Sequence, residues 1–212
     1  MAGMASETAK RDPARTRAAL LEAATRDFAA NGFAGARTER IAATAKCNIR
    51  LLYHHFESKE GLYRAAIEAA YADLRAREAE LEYDLADPLG CIDRLLRFNF
   101  AYFEANPDLD GLLRVENAFQ GRFIRQSRQV LGEGQGLRAR IEAVLAAGVE
   151  QGTIRPGVDP LQLYVTIAGL SRFHLANAWS LAIGLDQDLT SPAWRAERLE
   201  HCSAMLRAWL AP

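Results

Sequence analysis

The sequence predicts an all-α protein: an N-terminal three-helix unit containing a helix-turn-helix, then a larger helical bundle, about nine helices. Three observations carry this. Apolar residues recur at helical spacing in most segments, strand alternation and hairpin signals are missing, and helix-start residues precede the apolar runs. No internal repeat is visible.

In chain order, residues 1–12 are small and polar and are expected to be disordered. Pro13 suits the first turn of a helix, in which Leu20, Ala24 and Phe28 recur every four residues beside Leu21, and Asn31-Gly32 ends it. Thr38 is the expected N-cap of a short helix, TERIAATAK. Lys46-Cys47 is too short to be a loop of its own, and Asn48 can cap a second short helix, IRLLYHHF. Ser58 can cap a third, running through Leu62, Ala66, Ala69 and Ala70 to about Glu82. After Asp87-Pro88 a long amphipathic helix reaches about Ala105, and a shorter one starts at Pro107. GEGQG at 132–136 is expected to separate residues 121–131 from a helix over about 137–151. Gly152, Pro156, Gly157 and Pro160 mark a loop. Residues 161–184 are apolar almost all round, so a helix there needs partners on two sides. A last helix covers about 191–210.

The 212 residues can bury a sizeable core. The net charge of −1 hides an asymmetry. Residues 1–62 carry three lysines and seven arginines against seven acids, a balance of +3, while the rest has no lysine and a balance of −4. A basic head on an acidic body points to a polyanion partner for the head. Cys47, Cys91 and Cys202 are odd in number and widely spaced, which argues against a disulfide framework or structural zinc. No apolar run approaches a membrane span, and the start lacks a secretory signal. A soluble, cytoplasmic protein without cofactor or metal is expected.

The stretch KCNIRLLYHHFESKE at 46–60 concentrates the chemistry. His54 and His55 are adjacent, so on a helix they point about 100° apart and share one ion poorly. Cys47 and His54 have nothing in the sequence to orient them for catalysis. Two short helices with a tight turn, the second carrying basic and polar groups, instead form a helix-turn-helix. Leu52 and Phe56 are its core pair, leaving Asn48, Arg50, Leu51 and His54 outward. Arg50 suits guanine O6/N7, and Asn48 a base or phosphate. Lys59 in the first turn of a helix opposes the macrodipole, so either it extends into water or that helix start holds a phosphate.

Residues Arg15 to about Ile67 resemble the N-terminal domain of the TetR family of transcriptional regulators. The resemblance rests on AALLEAATRDFAANGFAGARTERIA and LLYHHFESKEGLY, notably Phe28, Gly32, Thr38, Ile41-Ala42, Leu52-Tyr53, Phe56 and Ser58-Lys59-Glu60. It implies a DNA-binding domain over 13–62 and a ligand-binding and dimerisation domain over 63–212. It implies that Thr38 and Tyr53 contact phosphates, that the backbone near Lys59 clamps another, and that Asn48, Ile49, Arg50 and His54 lie at base edges. The chain departs from the family at Lys46-Cys47-Asn48, where glycine, an aliphatic residue and serine or threonine are usual, and at Arg50, where a small residue is common. A non-glycine in that turn must take up a conformation natural to glycine. Lys46 adds charge beside the groove, so the operator preference is expected to be the chain's own. Cys47 either packs the turn or acts as a redox-sensitive thiol.

Beyond about residue 75 the resemblance is to a general plan, with YFEANPDL and RVENAFQGRF similar to a subgroup that includes pyrimidine- and aromatic-responsive regulators. Polar residues among apolar ones mark a candidate pocket: Glu116, Asn117, Arg172 and Asn177, with Phe100, Phe103, Leu113, Phe123 and Phe173. It suits an aromatic or heterocyclic effector, Arg172 pairing an anionic edge, unless Arg172 pairs Glu116 internally. The candidate homodimer face comprises Tyr164, Ile167, Leu170, His174, Trp194, Leu199, Met205, Leu206 and Trp209. The expected function is a homodimeric repressor released from a palindromic operator by a small molecule. The rivals are an all-α enzyme using Glu116 and His174 as an acid/base pair, and a ligand-independent architectural DNA binder.

Overall fold

The computed structural model describes residues 12–212 and, among them, consists of ten α-helices and one 3-10 turn without strands. The expected disorder of the N-terminal arm lies outside the described residues, apart from Asp12. That residue belongs to the first helix, because its carboxylate accepts the Ala14 N–H at 3.0 Å as an N-cap.

Helix α1 (Pro13–Gly35) is interrupted at Gly32, whose φ of 69° ends the regular turns at Asn31-Gly32, as the sequence suggested. Helices α2 (Thr38–Thr44) and α3 (Ile49–Phe56) follow, then α4 (Lys59–Ala79). Asn48 and Ser58 cap α3 and α4 through their side chains, accepting from Arg50 N and Gly61 N. Thr38 is not a cap: the chain enters α2 at Arg37, and Thr38 begins the helix itself. Leu20, Phe28, Ile41, Leu52, Leu62 and Tyr63 form one fully buried core. At about 25 cal/mol per Å² of apolar area, each such side chain contributes roughly 1.5–3 kcal/mol. The expected boundary at 62/63 falls inside α4, which carries Tyr63, Ala66 and Ile67 into the same core.

The remaining helices are α5 (Pro88–Ala105), α6 (Pro107–Ala118), α7 (Arg128–Glu150), α8 (Pro160–Ala176), α9 (Ala178–Leu185) and α10 (Pro192–Leu210). A second core joins α5, α7, α8 and α10 through Ile92, Leu95, Leu96, Ile141, Val144, Leu163, Ile167 and Cys202. Two expectations fail here. GEGQG does not break the chain but lies within α7. Each helical glycine costs about 1 kcal/mol relative to alanine, and the cost is met by the Ser127 cap and by burial of Leu137, Ile141 and Val144. The apolar stretch 161–184 is two helices, because Asn177 turns its side-chain amide back onto Phe173 O at 2.8 Å and leaves helical geometry at φ −116°, ψ 14°. Helix α4 also ends three residues earlier than the expected Glu82. Among the described residues no helix is long and apolar enough to cross a membrane.

Helix α6 links the first core to a third, smaller cluster formed with α4 and α5. Its Leu112 is buried in the first, where its carbonyl accepts the Tyr63 hydroxyl at 3.2 Å, and its Leu109 and Leu113 pack with Tyr102 and Phe103. Gly111 lets α6 lie directly on α1: a Cβ there would sit 2.7 Å from Ala29 Cβ and 2.9 Å from the Ala29 carbonyl oxygen.

Candidate nucleic-acid interface and effector chamber

Helix α3 buries Leu52 and Phe56 and turns the rest of its surface outward. Arg50, Leu51, Tyr53 and His54 are exposed, Ile49 and His55 half-buried. An eight-residue helix, roughly 12 Å long, presents these side chains on a convex edge that a major groove accommodates. Asn48 is exposed too, but its amide oxygen is spent on the Arg50 N–H at 2.8 Å, which leaves the NH₂ group as the contact it can offer. Rings of His54 and His55 meet at 5.5 Å and 61°.

The turn before α3 puts Lys46 at φ 54°, the left-handed conformation that glycine adopts most easily. The Cys47 N–H donates to Ala42 O at 2.9 Å, and its half-buried thiol points back to Ala45 O at 3.2 Å, in contact with the first core. That geometry supports the packing role of Cys47.

On the flank, Thr38 Oγ1 and the Tyr53 hydroxyl lie 3.1 Å apart. Thr38 is buried and Tyr53 is 43% exposed, so α2 and α3 bring two hydroxyls to one edge. The corner ahead of α2 is held by Asp27, which accepts from Arg40 Nη2 at 2.9 Å and from the Arg37 N–H at 3.2 Å. Asp27 and Arg40 are positioning residues that the sequence reading missed; their thirteen-residue separation leaves no periodic signal. Lys59 does not extend into water. Its ammonium lies 5.0 Å from the Phe33 ring centre and 3.5 Å from Ala34 O, beside the start of α4.

In the body, the candidate residues divide into separate groups. Glu116 is buried and accepts the N–H groups of Phe123 and Ile124 at 2.8 and 2.9 Å, so it pins the segment after α6. Phe123 packs on Tyr63 with ring centres 4.6 Å apart, and burial and Glu116 push the Tyr63 hydroxyl well above its usual range. Asn117 is an exposed residue whose amide donates to Leu113 O. Arg172 pairs with Asp110, not Glu116, at 2.6 Å, and its guanidinium lies 5.4 Å from the Phe103 ring centre. Burial raises the Tyr71 hydroxyl above its usual range, Arg75 and Arg172 pull it back, and Glu116 pushes it up. Phe100 stacks on His174 with ring centres 5.2 Å apart. Phe173 is largely exposed and Asn177 is spent on its own helix, so neither joins that group.

The candidate dimer face also needs correction. Ile167, His174 and Leu206 are buried in the chain's own core and offer nothing to a second copy. Burial lowers His174, with Arg198 and Arg195 acting the same way, so its ring favours the neutral form. Tyr164 accepts from Arg75 Nη2 at 2.8 Å beside the buried Glu78, an internal cluster. Leu170, Trp194 and Leu199 are half-buried, whereas Met205 and Trp209 are exposed. The exposed stripe of α8 is instead Leu161, Val165, Gly169 and Phe173, continued by Trp179 and Ile183 of α9, which are 78% and 84% exposed.

Comparisons with known proteins agree with this geometry. Residues 20–66 match the family described as bacterial regulatory proteins, tetR family, and residues 88–206 match a tetracyclin repressor-like C-terminal domain. The chain is 34% identical over 192 residues to the HTH-type transcriptional repressor NicS of Pseudomonas putida, covering 89% of each. It is 37% identical over 163 residues to the HTH-type transcriptional repressor SCO4008 of Streptomyces coelicolor, covering 76% of this chain and 80% of that one. Among solved structures, the Streptomyces coelicolor transcriptional regulator SCO4942 superposes with a TM-score of 0.66 at 26% identity, over 90% of this chain and 97% of its own.

Proposed function

We propose a function from the family to which this chain belongs, the TetR family of transcriptional regulators: a homodimeric repressor, released from a palindromic operator by a small-molecule effector. The chain is a DNA-binding transcriptional regulator. The observation that carries the finer reading is α3, anchored by Leu52 and Phe56, with Arg50, His54 and the Asn48 amide outward. In this reading Arg50 and His54 meet base edges, Ile49 lies beside them, and Thr38, Tyr53 and Lys46 meet phosphates. The start of α4 near Lys59 clamps a further phosphate with its N–H groups, the cation on Phe33 adding charge.

Two copies meet through the exposed stripe of α8 and α9 together with Met205 and Trp209 of α10, an isologous contact that sets two α3 helices in successive major grooves. The effector occupies the body and acts through α6, whose Gly111 lies on Ala29 and whose Glu116 accepts the Phe123 N–H. It releases DNA because it binds the two states with unequal affinity. A flat aromatic or heterocyclic compound suits the aromatic lining of the body, and the protein works in the cytoplasm.

The reading as a non-enzyme is supported by what Glu116 and His174 are occupied with. Glu116 accepts two backbone N–H groups, while His174 stacks with Phe100 and lies 5.8 Å from Trp194. Selection of bound duplexes from a random pool tests both the regulator and its rivals. A dyad-symmetric sequence is expected, and Arg50→Ala should relax one position per half-site at a cost of about 1–3 kcal/mol. An architectural binder would enrich no sequence at matched salt.

A further inference from the structure

One side of α6 lines a cavity of about 340 Å³ with parts of α5, α8, α9 and the start of α10. Its walls are Phe103, Leu175 and Trp179, apolar surfaces of mixed aromatic and aliphatic character. Its polar rim is unusual in charge. Buried Asp110 accepts from both Arg114 and Arg172 at 2.6 Å, two guanidiniums on one carboxylate. Arg195, on the other side, pairs with Glu104 at 2.6 Å. Two guanidiniums, Arg114 and Arg195, and two carboxylates, Asp110 and Glu104, thus line the cavity, and Arg172, outside the lining, shares Asp110 with Arg114. Moreover, the Arg195 Nε is buried with no acceptor. A buried N–H without a partner is costly, and such groups mark places where a ligand or ordered water completes the set.

We infer that this cavity binds a compact organic acid, its carboxylate held by Arg195 and Arg114 and its flat or apolar body against Phe103, Leu175 and Trp179. A carboxylate offers such an acceptor once the Arg195 guanidinium turns toward the cavity, and it suits the forked donors of Arg195 and Arg114. The volume is at the small end of ligand pockets, which excludes long chains from full enclosure. The inference rests on the effector reading and deepens it. On α6, Pro107, Asp110 and Arg114 line the cavity, while Gly111 lies against Ala29 on a neighbouring face. A ligand that draws Arg114 from Asp110 thus bears on the helix that supports α1.

The test uses the full chain, titrated calorimetrically with benzoate, with benzamide as its neutral counterpart and with inorganic phosphate. Saturable benzoate binding is expected, with benzamide at least about tenfold weaker. Arg114→Gln, on an exposed side chain where folding is spared, should weaken benzoate measurably, and Arg195→Gln by about ten- to a hundredfold. No binding of benzoate up to about 10 mM, or wild-type affinity in both variants, overturns the inference. So does benzamide or phosphate binding as tightly as benzoate. The same samples are assayed for duplex binding. Duplex binding without benzoate binding defeats this inference alone, whereas arginine-dependent benzoate binding without duplex binding defeats the regulator reading alone.

Discussion

Lys46 holds the bend between α2 and α3 at φ 54°, where a side chain costs about 1–2 kcal/mol relative to glycine. The chain keeps that cost next to an exposed reading surface, which fits a role for the ammonium at the DNA. Lys46→Gly is expected to raise the unfolding free energy by about 1 kcal/mol in urea titrations, and to lower the salt slope of duplex binding by about one. An unchanged slope would mean that Lys46 meets no phosphate. At this scale much was readable beforehand. Asn48 and Ser58 act as caps on neighbours two or three residues away, and Leu52 and Phe56 are one helical turn apart. Arg172 was not readable, because its partner Asp110 lies 62 residues away and a sequence offers Glu116 equally well. Lys59 was half readable: its place at a helix start was plain, its cover by Phe33 was not.

Among the elements, α6 carries the most. It contributes Leu112 to the first core, pins the following segment through Glu116, and lies on α1 at Gly111. Gly111→Ala would place a methyl 2.7–2.9 Å from Ala29, including its backbone, so the two helices must part. The expected loss is about 1–3 kcal/mol of stability, with weaker duplex binding at unchanged α3 sequence. A melting temperature equal to wild type would show that the contact is not tight. Helix ends set by proline or a capping side chain were foreseen, as at Pro88, Pro107 and Ser191. The continuity of α7 through GEGQG and the break at Asn177 were not. Both depend on packing and on a side chain competing for a backbone carbonyl, which outweigh local propensity.

For the whole molecule, the proposed assembly decides function, and three residues of the candidate dimer face, Ile167, His174 and Leu206, are buried within the chain itself. Residues 161–184 are apolar all round, so periodicity could not choose between the inner stripe with Ile167 and the outer stripe with Leu161, Val165 and Phe173. Only the packed chain separates them. The central claim, a dimer reading two half-sites, is tested most directly by hydroxyl-radical footprinting on the selected duplex. Wild-type protein is expected to protect two dyad-related stretches whose centres lie about one helical turn, or a whole multiple, apart. Val165→Glu, on the exposed stripe, should weaken both together. A single protected stretch, or none, from the wild-type protein would contradict the account.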